Sequence, residues 1–292
     1  MYKAIAANKR NTILIMAVFV GLIGAIGWAV SYMYGNTSMS YWIIGCALVY
    51  AVLQYFFASK LAVAMTGAEP IEKRDNPRLY RVVENLAITL GIPTPKVYII
   101  NDPTPNAFAT GRDPKHAIVA ATTGLLDIMD DSELEAVMAH EMGHVQNYDI
   151  RVSMIAFGLV SAISVISDFV LRMMIFGGDN RDNNSSPLML IIGIVVIILA
   201  PIIAVIIQLA ISRQREYLAD ATGAMTTRHP EALAKALEKL QQYGKPMKKQ
   251  STASAHLFFS SPLKPGFVNR LFSTHPPLED RIARLRGNDG KF

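Results

Sequence analysis

Two histidines four residues apart, with a glutamate directly after the first, stand at His140, Glu141 and His144 in the segment HEMGH. On a helix, residues four apart lie on one face, one turn above each other. Both imidazoles can then aim a ring nitrogen at one ion. Glu141 is rotated about 100° from His140, which puts its carboxylate beside the ion, near a bound water. Zinc held by three protein ligands keeps a fourth position for water and lowers that water's pKa towards about 7. A neighbouring carboxylate can take the water's proton and later pass one to a leaving amine. That is the chemistry of peptide hydrolysis. The same pattern also arises by chance on amphipathic helices, so it needs a third ligand.

Extension to H-E-x-x-H-x-x-G-x-x-H would supply one, but Asn147 and Ile150 stand where that pattern needs glycine and histidine. A carboxylate on a later helix remains. SRQREYLADATGA, Ser212–Ala224, carries Glu216 and Asp220 four apart, on one helical face. One of the two can ligate the ion while the other holds a ligand histidine through its second ring nitrogen. Taken alone, the stretch also fits a solvated helix with a charge pair such as Glu216 with Arg213. Beside HEMGH, Glu216 is the expected ligand. Gly143, between the two histidines, costs a helix about 1 kcal/mol relative to alanine, which points to close approach of another backbone.

Several elements must position these groups. A helix is expected from about Ser132, where Ser132 and Glu135 form a capping box. Leu134, Val137, Met138 and Val145 supply its apolar face. Upstream, Pro77–Leu90 carries Leu79, Val82, Val83, Leu86 and Leu90 at helical spacing, with Gly91 as the stop. KVYII (Lys96–Ile100), NAFAT (Asn106–Thr110) and AIVAA (Ala117–Ala121) read as strands, the last two joined by the turn GRDPK. An extended peptide can add to a sheet edge through main-chain hydrogen bonds. Asn106, Ala107, Phe108 and Ala109 are therefore candidate substrate-binding residues, with an ordinary core strand as the competing reading. Downstream, Glu231–Tyr243 reads as an amphipathic helix ended by Gly244, Lys245–Ala255 as a loop, and Pro276–Arg286 as a short last helix.

The 292 residues are 51% hydrophobic and only 17% charged, against about 25% charged in an average soluble domain. Some apolar residues must therefore face lipid. The net charge of +5 comes from lysines and arginines scattered along polar segments, which suits an anionic membrane surface and not nucleic acid. One cysteine, Cys46, rules out an intrachain disulfide. Thr12–Tyr34 and Tyr41–Ala58 are uncharged and long enough to cross a bilayer. The first is too long for a signal peptide and has no small-residue cleavage site. Leu188–Ile207 is the most apolar stretch, with Pro201 as an expected kink. Val152–Phe176 carries serines, Asp168 and Arg172, and reads as a crossing or as a buried helix, the crossing being preferred.

About four transmembrane helices are thus expected. Lys3, Lys9, Arg10, Lys60, Lys73 and Arg74 flank the spans, whereas Gly35–Ser40 has no positive charge. The positive-inside rule then places both termini and the segment from Lys60 to Asp149 in the cytoplasm. Glu216 lies nine residues past Ile207, about 13 Å along a continuous helix, so the site should sit just outside the membrane. Spans one, two and four carry no ionisable residue, which disfavours a transporter with an accidental motif.

HEMGH followed by EYLAD after a hydrophobic hairpin resembles the HtpX-like membrane zinc metalloproteases, which are related to the endopeptidases that process prenylated CAAX proteins. Nearly the whole chain shares in the resemblance, including the early spans, PNAFATG and the tail STHPPLEDRIARL. It implies an α+β membrane protein with a cytoplasmic zincin-like metalloprotease domain, a small sheet plus active-site helices. The layout would be a membrane anchor over 1–60, protease parts over 61–150 and 213–292, and a hydrophobic hairpin over 151–212. It makes His140, His144 and Glu216 the ligands of one Zn2+, Glu141 the general base and Asp220 a partner of a ligand histidine. It also sets His275 near the reacting carbonyl, stabilising its oxyanion. The expected activity is that of a zinc metalloendopeptidase cutting misfolded or damaged membrane proteins, in quality control and stress response. The expected location is a prokaryotic plasma (inner) membrane, as a multi-pass protein in contact with the lipid bilayer. A substrate restricted to lipidated carboxy-terminal peptides would require an enclosed chamber of more spans than these.

Overall fold

The computed structural model describes residues 2–33, 37–159, 213–244, 246–248, 257–260 and 276–287. Two long helices open the chain, α1 (Tyr2–Met33) and α2 (Ser38–Thr66). Both are long and apolar enough to cross a membrane, over Ile5–Ala25 and Ser40–Thr66. Their outer faces are bare: Ile13, Leu14 and Val18 on α1, and Val49, Val52 and Phe56 on α2, are exposed. Apolar area on this scale suits lipid and not water. Trp28, Tyr32, Tyr41 and Trp42 are exposed near the end where the two helices are joined, as aromatic side chains are at a membrane–water boundary.

Residues 149–159 are helical, and bury Val152, Met154, Ile155, Ala156 and Leu159 against Ile15, Phe19, Ala47 and Ala58 of the helix pair. They begin the third apolar stretch. The rest of Val152–Phe176, and all of Leu188–Ile207, lie outside the described residues. Two membrane-length helices are therefore found among the described residues, where the sequence led to about four.

α2 runs past Ala58 to Thr66 and ends at Gly67, which takes φ 72 and donates its N–H to Val63 O. A left-handed residue of this kind favours glycine and satisfies an otherwise orphaned carbonyl. Strand β1 (Ala68–Pro70) starts at the next residue. It pairs antiparallel with β2 (Lys96–Ile100), which pairs parallel with β4 (Ile118–Thr122), which pairs antiparallel with β3 (Ala107–Thr110). The spatial order β1-β2-β4-β3 leaves β3 at an edge. α3 (Pro77–Leu90) has the expected bounds, with Asn76 capping the Leu79 N–H and Gly91 at φ 64. α4 (Thr123–Ile128) is a short helix the sequence did not announce.

The central element is α5 (Asp131–Gln146). Its capping box is Asp130 with Glu133, not Ser132 with Glu135. Asp130 Oδ1 accepts from the Glu133 N–H at 2.8 Å, and Glu133 Oε2 accepts from the Asp130 N–H at 2.8 Å. Ser132 instead donates to Asp130, and Glu133 also pairs with Lys239 at 2.5 Å. α6 (Arg213–Thr227) and α7 (Pro230–Tyr243) pack on α5, and α8 (Leu278–Gly287) packs on both of them. The expected apolar face is in place: Leu134, Val137, Met138 and Val145 join Leu233, Leu237 and Leu285 in one core.

Candidate active site

Helical periodicity brings His140 and His144 to one face of α5, and their Nε2 atoms are 3.1 Å apart. Glu216, on the first turn of α6, approaches from the facing helix. Its Oε2 is 3.9 Å from His140 Nε2 and its Oε1 is 3.6 Å from His144 Nε2. One ligand atom from each of the three residues falls within 4.8 Å of the other two. Two imidazole nitrogens and a carboxylate oxygen are a donor set that zinc takes, with room for a fourth ligand. The helices carrying them are in close contact. A Cβ on Gly143 would lie 3.7 Å from Ala219 Cα, and one on Gly223 would lie 3.1 Å from His140 N. The contact at Gly143 is an ordinary one, with the Thr222 side chain nearest at 3.4 Å; the close backbone approach expected there is found at Gly223 instead.

Each imidazole is held by its other nitrogen. His140 Nδ1 meets Asp220 Oδ1 at 2.9 Å, and His144 Nδ1 meets Asp149 Oδ2 at 3.0 Å. Such partners orient each ring with its Nε2 towards a shared ion position. Burial pushes the His140 pKa down to about 4 despite Asp220, so this ring is neutral at pH 7. Burial also pushes His144 down, but the Asp149 hydrogen bond and the charges of Glu216, Asp149 and Glu141 outweigh it and raise the pKa to about 9.

Glu141 is buried beside the cluster. The backbone of Ala109 on β3 lies beside its carboxylate and favours the charged form. Burial lifts its pKa to about 7, helped by the Glu216 charge and opposed by His144 and Arg281. That places it close to neutrality, where a general base works best.

Two residues that sequence reasoning passed over complete the site. Arg281, on α8, is fully buried and grips Asp220 with two hydrogen bonds, Nε to Oδ2 at 2.8 Å and Nη2 to Oδ1 at 2.6 Å. Burial pushes the Asp220 carboxyl up, but the Arg281 charge and the His140 bond hold it down at about 2. Arg281 Nη1 is 3.7 Å from Glu216 Oε2 and makes no hydrogen bond among the described residues. The tail STHPPLEDRIARL was legible as a segment, but nothing in it set Arg281 apart. Asp149 reaches His144 because Tyr148 adopts φ 62, a left-handed conformation that turns the chain back after α5. For a residue with a Cβ this costs about 1–2 kcal/mol, and no local signal announced it.

The β3 edge has an occupant. Phe259 N donates to Ala107 O at 2.8 Å, and Phe258 bridges Phe108 in antiparallel fashion. Asn106 accepts from Ser260 N at 3.1 Å and donates to Ser260 O at 2.8 Å. Residues 257–260 thus lie along Asn106, Ala107 and Phe108, all three buried. These residues, expected to meet a substrate, hold a segment of their own chain in this structure. Of the four expected, Ala109 lies past that segment, beside Glu141. The Phe259 ring stands edge-on to His140 at 4.7 Å, with Arg281 over its face at 4.8 Å. His275 lies outside the described residues.

The sequence profile of peptidase family M48 matches residues 73–289. The chain belongs to peptidase family M48. It is 57% identical, over the full length of both chains, to a protein named "Protease HtpX homolog" from Tropheryma whipplei strain Twist. A protein of the same name from Streptococcus gordonii is 44% identical over 98% of this chain and 99% of its own. The crystal structure of Ste24p from S. mikatae shares the fold, with a TM-score of 0.52 at 19% identity, over 98% of this chain and 67% of that one. Membership of M48 makes the chain a metallopeptidase, a hydrolase whose family requires a metal. His140, His144 and Glu216 are the residues that could hold it.

Proposed function

We propose that this M48 peptidase is a membrane-anchored zinc endopeptidase that cuts extended segments of misfolded or damaged membrane proteins at the cytoplasmic face. One observation carries the reading: two imidazole nitrogens and a carboxylate oxygen from separate helices converge within 4.8 Å, beside a buried glutamate. His140, His144 and Glu216 would hold one Zn2+, with Asp220 orienting His140. The ion, when bound, would polarise the scissile carbonyl and acidify a water. Glu141 takes that water's proton and returns one to the leaving amine. The Ala109 backbone lies beside the Glu141 carboxylate, where the end of β3 meets the base. His275 is the proposed donor to the oxyanion.

A substrate strand would add to β3 at Ala109 and displace residues 257–260 from Asn106, Ala107 and Phe108. Main-chain pairing reads backbone and not side chains, which suits quality control during stress. The location is read from charge. Lys9, Arg10 and Lys60 stand at the end of the helix pair nearest the site, and the aromatic residues at the other. A multi-pass protein with two further crossings in 151–212 fits this arrangement.

The deciding experiment compares native protein and Glu141→Gln in detergent. Both should bind about one zinc per chain, and only the native protein should cleave casein. Protein that stays zinc-free after a zinc-replete preparation would sink the reading. Topology is checked separately on a Cys46→Ser background. A cysteine at exposed Arg74 should react from the cytoplasmic side and one at Asn183 from outside.

A further inference from the structure

The turn that delivers Asp149 to His144 is clasped by the first membrane helix. Asn8 of α1 donates through Nδ2 to Asp149 Oδ1 at 2.6 Å and to Asn147 O at 2.9 Å. Its neighbour Lys9 stands over the Tyr148 ring at 5.0 Å, and Arg151 lies 4.9 Å from that ring. Asn8 and Asp149 are both buried. Thr12, one turn along α1, spends its hydroxyl on Asn8 O. α1 therefore grips each of the three residues 147–149, including the left-handed Tyr148.

A carboxylate beside a ligand histidine works only in a fixed orientation. Asp149 has two oxygens. Asn8 engages Oδ1, with Arg215 Nε at 3.7 Å from the same atom, and Oδ2 faces His144. Without the Asn8 amide, the carboxylate can rotate about its last torsion, and the strained turn behind it loses its clasp. The helix that anchors the chain is then also part of what orients one metal ligand.

We propose that Asn8 and Asp149 are positioning residues of the metal centre, so that docking of α1 onto residues 147–149 sets the affinity for zinc. This inference rests on the zinc reading above. It gives α1 a second task besides membrane attachment and ties a metal ligand to the state of a membrane helix.

The test uses the full chain in detergent, with zinc affinity measured by competition against a chromophoric chelator. Asn8→Leu and Asp149→Ala should each weaken zinc binding about 10- to 100-fold, with unchanged helical content by circular dichroism. The double variant should be no weaker than Asp149→Ala alone, because Asn8 acts through Asp149. Thr12→Val, a buried change on the same face of α1, should leave the affinity within about twofold. Additive losses in the double variant, or an equal loss in Thr12→Val, would show general damage to helix docking and overturn the proposal. So would native affinity in Asn8→Leu. A native protein that binds no zinc would instead end the zinc reading, so the two failures are told apart.

Discussion

Replacing Arg281 with methionine should destabilise the protein and loosen its metal centre together. The guanidinium and the Asp220 carboxylate share two hydrogen bonds, of 2.8 and 2.6 Å, and both groups are buried. Methionine keeps much of the aliphatic stem's volume but removes the charge. Breaking a buried pair from one side costs about 3–5 kcal/mol, because the remaining charge is left without a partner. That is about two to four decades in the folded-to-unfolded ratio, and a large share of the roughly 5–15 kcal/mol that holds a domain together. Burial, now unopposed by the Arg281 charge, would drive the Asp220 carboxyl towards its protonated form and weaken its hold on His140 Nδ1. Adding Asp220→Leu removes the orphaned charge, so the double variant should regain much of the lost stability. It should not regain zinc affinity, since His140 then has no carboxylate behind it. Chemical denaturation in detergent reads the first quantity and chelator competition the second. A single variant within about 1 kcal/mol of native would refute the reasoning, as would a double variant no more stable than the single.

Zinc affinity should rise about tenfold per pH unit from pH 7 and level off near 9, because His144 is held protonated up to about 9 and an ion must displace that proton. The slope should be that of one proton, since His140 is already neutral. In stability the sign is the reverse. The raised His144 pKa contributes below its usual value of 6.5 and is lost as pH rises through about 9, which denaturation without added zinc would show. Gly223→Ala gains about 1 kcal/mol in helix propensity, but its Cβ would stand 3.1 Å from His140 N, a backbone atom. Overpacking of about 1–3 kcal/mol should win, and a raised melting temperature would contradict it. A peptide copying residues 256–261, HLFFSS, should raise KM for casein without changing kcat. No inhibition at millimolar peptide would mean that substrate does not use the β3 edge.

Local chemistry was legible in the sequence. Helical periodicity alone put His140 and His144 on one face, whereas Glu216 and Asp220, four apart on another helix, read as more than a charge pair only beside HEMGH. What stayed hidden depends on distance or on a single dihedral. Arg281 meets Asp220 across 61 residues, and Arg284 and Arg286 on the same helix look no different in sequence. Asp149 required the left-handed Tyr148. The capping box was misread because DDSELE offers two overlapping frames. Asp130 wins since its partner Glu133 also reaches Lys239, which lies on another helix. The Asn106–Ala109 strand could be read as a peptide-binding edge or as a core strand; it ends the sheet, and what lies along it comes from residues 257–260, far along the chain.

Between α2 and β1 there is a single residue, Gly67, and its N–H is tied to Val63 O at 3.0 Å. No tether separates the spanning rod from the cutting body. The blade cannot swing towards a loop hanging far from the bilayer, nor retract from one lying close. With α2 spanning the bilayer as proposed, the site's height above the lipid would be set once, and a polypeptide would be selected by how much slack it offers at that height.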